Sequence, residues 1–255
     1  MNNRWTLKNK RALITGATKG IGRAIAQEFV ELGAELAIVA RNKDELNAMV
    51  KEYSVKGIKI FGIQADVSSR SDYQKIIDKV KNEWGKLDVF VNNVGTNIRK
   101  ASIDYDFNEY DHVMNTNLRS AFELSRLVFP LLKQSEQANV VFVSSVAGQI
   151  HLKTGAIYAM TKAAINQLTK NLAVEWASDN IRVNAVAPWY IRTPLAETVL
   201  KNEAYKQSVL SRTPMNKIGE PEDVAAAVSF LCIPASAYVT GQILSVDGGF
   251  MVNGF

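Results

Sequence analysis

Short β-rich runs alternate with amphipathic helical stretches along the whole of this 255-residue chain. Alternation of that kind predicts a parallel sheet with helices on both faces, because each strand must be carried back to the same edge by a crossover helix. The strands are expected at Arg11–Thr15, Glu35–Ala40, Lys59–Gln64, Leu87–Asn92, Asn139–Ser144, Arg182–Ala187 and Ile243–Val246. Helices are expected between them, at Ile21–Leu32, Lys43–Lys56, Arg70–Trp84, Asn108–Lys133, Tyr158–Ala177 and Pro221–Leu231. No repeat, linker or low-complexity tract divides the pattern. Residues 1–255 are therefore expected to form one doubly wound α/β domain with a seven-stranded parallel sheet. The segment 188–219 breaks the regularity: it holds Pro188, Pro194 and Pro214, has no clear period, and carries Trp189, Tyr190 and Ile191 together. A long excursion at the catalytic edge of such a sheet is expected to act as a lid over substrate.

The first strand runs into Gly16-Ala17-Thr18-Lys19-Gly20-Ile21-Gly22 and then into a helix. Glycines there permit a tight turn and let backbone amides at the helix N-terminus approach a pyrophosphate. The spacing is G-x-x-x-G-x-G rather than G-x-G-x-x-G, yet its place after the first strand points to a Rossmann-type dinucleotide site. In such sites an acidic residue at the end of the second strand holds the ribose 2′-hydroxyl of NAD. Here the strand ends Val39-Ala40-Arg41-Asn42, with no carboxylate. Arg41, aided by Lys19 in the turn, suits a 2′-phosphate instead, so NADP(H) is the expected cofactor.

Tyr158 is the only one of eight tyrosines followed four residues later by a lysine, Lys162. On a helix that spacing puts both on one face, where the ammonium is expected to lower the phenol pKa for proton transfer near neutrality. Ser144 and Ser145 close the fifth strand at the edge where open α/β sheets place ligands, and Ser145 is suited to donate to a carbonyl oxygen. Asn92-Asn93-Val94-Gly95 ends the fourth strand at the same edge, and Asn115 and Asn117 lie on the following helix. Of the two histidines, His112 reads as a surface or packing residue of that helix and His151 as a candidate for the pocket.

Composition excludes several classes. The 30 basic residues are scattered against 25 acidic ones, so the net charge of +5 gives no nucleic-acid footprint while still favouring anionic ligands. A single cysteine, Cys232, forms no internal disulfide and no thiolate metal cage; it reads as a buried small side chain. No metal is expected. Neither a signal-type opening nor a membrane-length apolar run is present in the sequence, and a cytoplasmic location is expected.

Taken together, Thr15-Gly-x-x-x-Gly-Ile-Gly22, Asp66-Val67, Asn92-Asn93-Val94-Gly95, Asn117, Ser145, Tyr158 and Lys162 resemble the short-chain dehydrogenase/reductase family in order and spacing, from Leu13 to Gly249. Within it, residues 92–100, 187–195 and 241–255 look like the tropinone reductase and tropinone reductase-like branch. The resemblance implies that Tyr158 is the general acid, that Ser145 orients the carbonyl, and that Lys162 holds the nicotinamide ribose. It also implies that Asn117 holds a water linked to Lys162. Cofactor contacts are implied for Gly16, Thr18, Lys19, Gly20, Ile21, Gly22, Arg41, Asp66, Val67, Asn93, Gly95, Tyr158, Lys162, Pro188, Ile191 and Thr193. Of these, Asp66 would meet the adenine, Asn93 the adenosine ribose side and Thr193 the carboxamide. The substrate pocket is expected to draw on Ile98, Ala147, His151, Trp189, Tyr190 and Leu195.

Two departures from the family pattern stand out: Val94 where alanine is common, and Trp189 where glycine usually follows Pro188. The implied activity is NADPH-dependent reduction of a small, mostly apolar cyclic ketone by a homotetramer. The alternatives are a 3-oxoacyl-[acyl-carrier-protein] reductase, whose acidic partner suits the positive charge, and a non-catalytic NADP-binding protein, against which the complete Ser145–Tyr158–Lys162 set argues.

Overall fold

A computed structural model describes residues 4–254 of the chain. Seven strands form one sheet: β1 (Arg11–Thr15), β2 (Glu35–Ala40), β3 (Ile60–Gln64), β4 (Val89–Asn92), β5 (Ala138–Val143), β6 (Ile181–Pro188) and β7 (Ile243–Val246). All neighbours are parallel, in the order β3-β2-β1-β4-β5-β6-β7. The central strands β4, β5 and β6 are buried along their full length, as strands covered on both faces must be. One face packs under α1 (Gly20–Glu31), α2 (Lys43–Val55) and α9 (Pro221–Cys232), around Phe29, Leu36, Met49 and Val228. The other packs under α3 (Arg70–Trp84), α5 (Ser120–Leu132) and α6 (Ala156–Glu175), around Ile76, Phe90, Leu124 and Phe142.

The chain reverses its winding between β1, which continues outward to β2, and β4, which continues the other way to β5. Such a switch point opens a crevice at the carboxyl ends of the strands. The glycine turn after β1 and the loop after β4 therefore flank one cleft.

Two sequence expectations are corrected here. The helix expected at Asn108–Lys133 is divided into α4 (Phe107–Met114) and α5 by a π turn, Asn115–Arg119, in which the Ser120 amide donates to the Asn115 carbonyl. Buried positions nevertheless continue at helical spacing through the turn, at Val113, Thr116, Asn117, Ser120, Ala121 and Leu124, so the pattern does not register it. The segment 188–219 is not irregular: it folds into α7 (Pro194–Leu200) and α8 (Glu203–Leu210). Both are short, and Thr193 and Asn202 cap them by accepting from the Ala196 and Tyr205 amides. Ala196, Leu200, Val209 and Ile218 give this excursion its own small core. Its two ends are stitched together where the Arg192 amide donates to the Gly219 carbonyl (2.8 Å) and the Gly219 amide to the Tyr190 carbonyl (3.0 Å).

Candidate active site

A cavity of about 1190 Å³ runs along the carboxyl edge of the sheet, large enough for a dinucleotide with a small second ligand. Its floor is built by the β1–α1 turn. Gly16 has φ +67° and Gly20 φ +52°, backbone that glycine adopts without strain. A Cβ on Gly22 would stand 2.2 Å from the Gly16 carbonyl oxygen and 2.6 Å from Asn93 Nδ2, so the helix can pack this closely on the turn only without a side chain there. Gly22 thus lies behind the cavity wall, which is formed by Gly16, Thr18, Lys19, Gly20 and Ile21. α1 begins with no side-chain cap and no acidic residue in its first turn, leaving its end free to receive an anion. By contrast, α2 is capped by Asn42, which accepts from the Asp44 and Glu45 amides.

At the far end of the cavity lie Arg41, Asp66 and Val67. Both expected phosphate-binding cations already face carboxylates: Lys19 Nζ is 2.6 Å from Glu45, and an Arg41 Nη lies 3.8 Å from Asp66. Burial pushes the Asp66 carboxyl up, but the Ser68 amide and hydroxyl, which both donate to it, and the Arg41 charge hold it below its ordinary value. Glu45 lines this end too, a carboxylate that no motif marked.

The Asn93 side chain is engaged with the turn itself. Its Nδ2 donates to the Thr15 and Gly16 carbonyls at 3.0 and 3.1 Å, so its amide braces the glycine turn while the residue still lines the cavity. Val94 sits against the same turn, its methyl 2.9 Å from where a Gly16 Cβ would be; the extra bulk is accommodated because that Cβ is missing.

Ser145, Tyr158 and Lys162 meet on the cavity wall near its centre. Lys162 is buried, donates from Nζ to the Val143 carbonyl at 2.8 Å, and lies 5.5 Å from the centre of the Tyr158 ring. Burial lowers its pKa to about 8. The expected depression of the Tyr158 pKa is not found: burial raises it, against the Ser145 hydrogen bond and the Arg99 charge, which lower it. Desolvation of the phenol outweighs both, and Lys162, with its own pKa lowered to about 8, loses its charge before the phenol ionises and so gives no offset. Ser145 Oγ also accepts from the Ala147 amide at 3.1 Å, which fixes its rotamer.

Asn117 is fully buried behind this wall, in the π turn. Its Oδ1 accepts from the Thr96 amide (2.8 Å), and its Nδ2 donates to the Thr96 carbonyl (2.9 Å) and to Thr161 Oγ1 (3.1 Å). The side chain therefore clamps the loop after β4 to α6, rather than facing the cavity. The π turn opens the local hydrogen-bond ladder at this same residue, a feature common at functional sites.

On the substrate side, His151, Trp189, Tyr190 and Leu195 line the cavity as expected. Two expected members do not. Ile98 turns away from the cavity between Asn97 and Arg99, which do line it, and its carbonyl accepts from the Tyr105 hydroxyl. Ala147 is buried in a 3₁₀ turn, Val146–Gly148, where its amide serves Ser145.

Pro188, Ile191 and Thr193 lie on the wall, with Thr193 spending its Oγ1 on the α7 cap. Unmarked in the sequence were Phe250, Tyr205, Arg99 and Arg212. Phe250 stacks on Trp189 with centroids 3.7 Å apart, Arg212 lies over the Phe250 ring, and the Tyr190 and Tyr205 hydroxyls are hydrogen-bonded to each other. His112, read as a surface residue, also lines the cavity. Only their positions in the fold reveal these residues. Cys232 is buried beneath the sheet with its thiol pushed up to about 12, consistent with a packing role.

Residues 16–251 match the family model described as enoyl-(acyl carrier protein) reductase. The chain is 51% identical over 255 residues to a tropinone reductase homolog of Arabidopsis thaliana, At5g06060, covering all of this chain and 97% of that protein. It is 50% identical over 253 residues to a second such homolog from the same plant, At2g29260, named as chloroplastic, covering 99% of this chain and 79% of that one. Among solved structures, a gluconate 5-dehydrogenase from Burkholderia cenocepacia in complex with NADP and tartrate superposes with a TM-score of 0.94. That enzyme is 30% identical, with 98% of each chain covered. A fold, a cavity and relatives that agree over the whole chain lead to one conclusion: it belongs to the short-chain dehydrogenase/reductase family and is an NAD(P)-dependent oxidoreductase.

Proposed function

We propose that this enzyme uses NADP(H) to reduce a small, mostly apolar cyclic ketone to its alcohol. The observation that carries the reading is the convergence of Ser145, Tyr158 and Lys162 on one cavity whose far end presents Lys19 and Arg41 and whose second strand ends without a carboxylate. Reduced nicotinamide, when bound, supplies a hydride to the carbonyl carbon. Ser145 donates to the carbonyl oxygen and holds it against Tyr158. The Tyr158 hydroxyl gives its proton to that oxygen as charge develops there, completing the alcohol. Lys162, with a pKa of about 8 and a neighbour of the phenol, holds the nicotinamide ribose and hands a proton back to Tyr158. A water on the backbone opened by the Asn115–Arg119 π turn carries the replacement proton from solvent to Lys162.

The 2′-phosphate is taken by Lys19 and Arg41, which exchange their present carboxylate partners, Glu45 and Asp66, for a doubly charged one. Substrate lies against Trp189, Tyr190 and Leu195, and the α7–α8 excursion closes over it to exclude water. The test is a screen of NADPH and NADH oxidation across a ketone panel that includes 3-oxoacyl-carrier-protein thioesters. Turnover of cyclic ketones with NADPH preferred is expected. Turnover confined to the thioesters would favour the 3-oxoacyl-carrier-protein reductase alternative.

We also infer a homotetramer. Of the apolar residues on α6, Leu172, Ala173 and Trp176 are buried within the chain itself, but Ala164 and Leu168 join Met114, Leu118 and half-exposed Phe122 in an outward groove of about 600 Å³. A second copy covering it is the usual outlet. Light scattering at micromolar concentration should give about four times 28.2 kDa, and a value of 28.2 kDa would refute it.

A further inference from the structure

The proposed reaction uses Ser145, Tyr158 and Lys162, and it gives no task to the cationic side chains on the substrate side of the cavity. Arg99 lines the substrate side, on the loop that follows β4, and is half-buried. Its guanidinium makes no hydrogen bond or ion pair among the described residues, whereas Arg23, Arg41, Arg126 and Arg192 all face carboxylates. Its charge reaches the reacting centre: it works against burial at both Tyr158 and Tyr190.

The carboxylates that line the cavity are Glu45 and Asp66, and both belong to the cofactor end, where they face Lys19 and Arg41. On the substrate side, apart from Lys162 and the phenols of Tyr158, Tyr190 and Tyr205, the charged or titratable groups are cationic or basic, namely Arg99, His151, Lys153 and Arg212. Three of these four are exposed and well solvated, and Arg212 already rests on the Phe250 ring; Arg99 is the half-buried one. A partly desolvated guanidinium without a partner is costly, and the natural relief is a ligand that brings the anion. The planar fork of an arginine matches a carboxylate with two parallel hydrogen bonds.

We propose that Arg99 receives a carboxylate carried by the substrate, so that the ketone reduced here is an oxo-acid. Its apolar body lies on the Trp189–Phe250 stack and its reacting carbonyl at Ser145 and Tyr158. The inference rests on the ketone-reductase reading and narrows it to a substrate class.

The test compares 4-oxocyclohexanecarboxylate with its uncharged carboxamide, which has nearly the same shape. Two ratios are read, carboxylate over carboxamide: kcat/KM with NADPH, and the association constant measured calorimetrically with NADP⁺ present. A charge-assisted pair predicts a ratio of about 10 to 100 in the wild type. In Arg99→Gln the ratio should collapse toward one, whatever happens to the absolute rate, and in Arg99→Lys it should be largely kept, which also shows that the loop still folds. A wild-type ratio near one, or a ratio that survives in Arg99→Gln, overturns the proposal. If no ketone turns over with NADPH, the reductase reading falls, and the binding ratio alone then decides whether Arg99 is an anion site.

Discussion

Replacing Lys162 by methionine should stabilise the protein below pH 8 while removing its activity. The lysine is 3% exposed, and burial lowers its pKa from 10.5 to about 8. That difference of 2.5, at 1.36 kcal/mol for each pKa unit, makes the buried ammonium cost about 3 kcal/mol at pH 7. Methionine keeps the length and drops the charge, but it leaves the Val143 carbonyl without its 2.8 Å donor, a loss of about 1–3 kcal/mol. The net gain at pH 7 is therefore about 1 kcal/mol.

The pH dependence is sharper than the net value. Between pH 8 and 10.5 the unfolded chain keeps the Lys162 proton that the native state has released, so wild-type stability rises with pH in that window relative to the variant. The ammonium's penalty is fully present below pH 8 and gone above pH 10.5. Urea unfolding of both proteins without cofactor, at pH 7 and pH 10, should show the stability difference moving by about 2–3 kcal/mol in favour of wild type at the higher pH. Other lysines and tyrosines titrate in both proteins and cancel in the difference. A difference that does not change with pH would refute a depressed Lys162 and, with it, the proton hand-back assigned to this residue.

Gly22→Ala forces a methyl to within 2.2 Å of the Gly16 carbonyl and onto the Asn93 amide, so it should destabilise the fold by about 1–3 kcal/mol and weaken cofactor binding, both read by denaturant titration with and without NADP⁺. Ala40→Asp combined with Arg41→Ala places a carboxylate at the end of β2 and removes a cation; kcat/KM should shift from NADPH toward NADH by tenfold or more, since one charge-assisted contact is worth about 1.5–3 kcal/mol. A double variant that keeps the NADPH preference would show Arg41 to be an ordinary surface charge.

Strand positions were legible because a buried parallel strand is a short apolar run between turn residues; β1, β2 and β7 fall where they were expected, and β4 begins only two residues late. The glycine turn and the Tyr158–Lys162 pair were legible for the same local reason, since their spacing is written in consecutive turns of chain. What the sequence hid is non-local or short. The π turn at Asn117 leaves no mark on hydrophobic periodicity, and α7 and α8, at 7 and 8 residues, are too brief to build one. Arg99, Tyr205 and Phe250 carry no motif; they reach the cavity because the β4 loop, α8 and the turn after β7 converge on its rim. The raised Tyr158 pKa is not legible in the sequence, because spacing reports a neighbouring charge and not the burial that outweighs it.

The most direct test of the account is Tyr158→Phe. The hydroxyl that leaves belongs to the proposed proton donor, and the ring that remains keeps its place beside Lys162. Ketone reduction with NADPH should fall by about 10²–10⁴ in kcat, while the dissociation constant for NADPH, measured by fluorescence titration, stays within about threefold of wild type. Activity retained within twofold would mean that the proton comes from elsewhere and that the site is assigned wrongly.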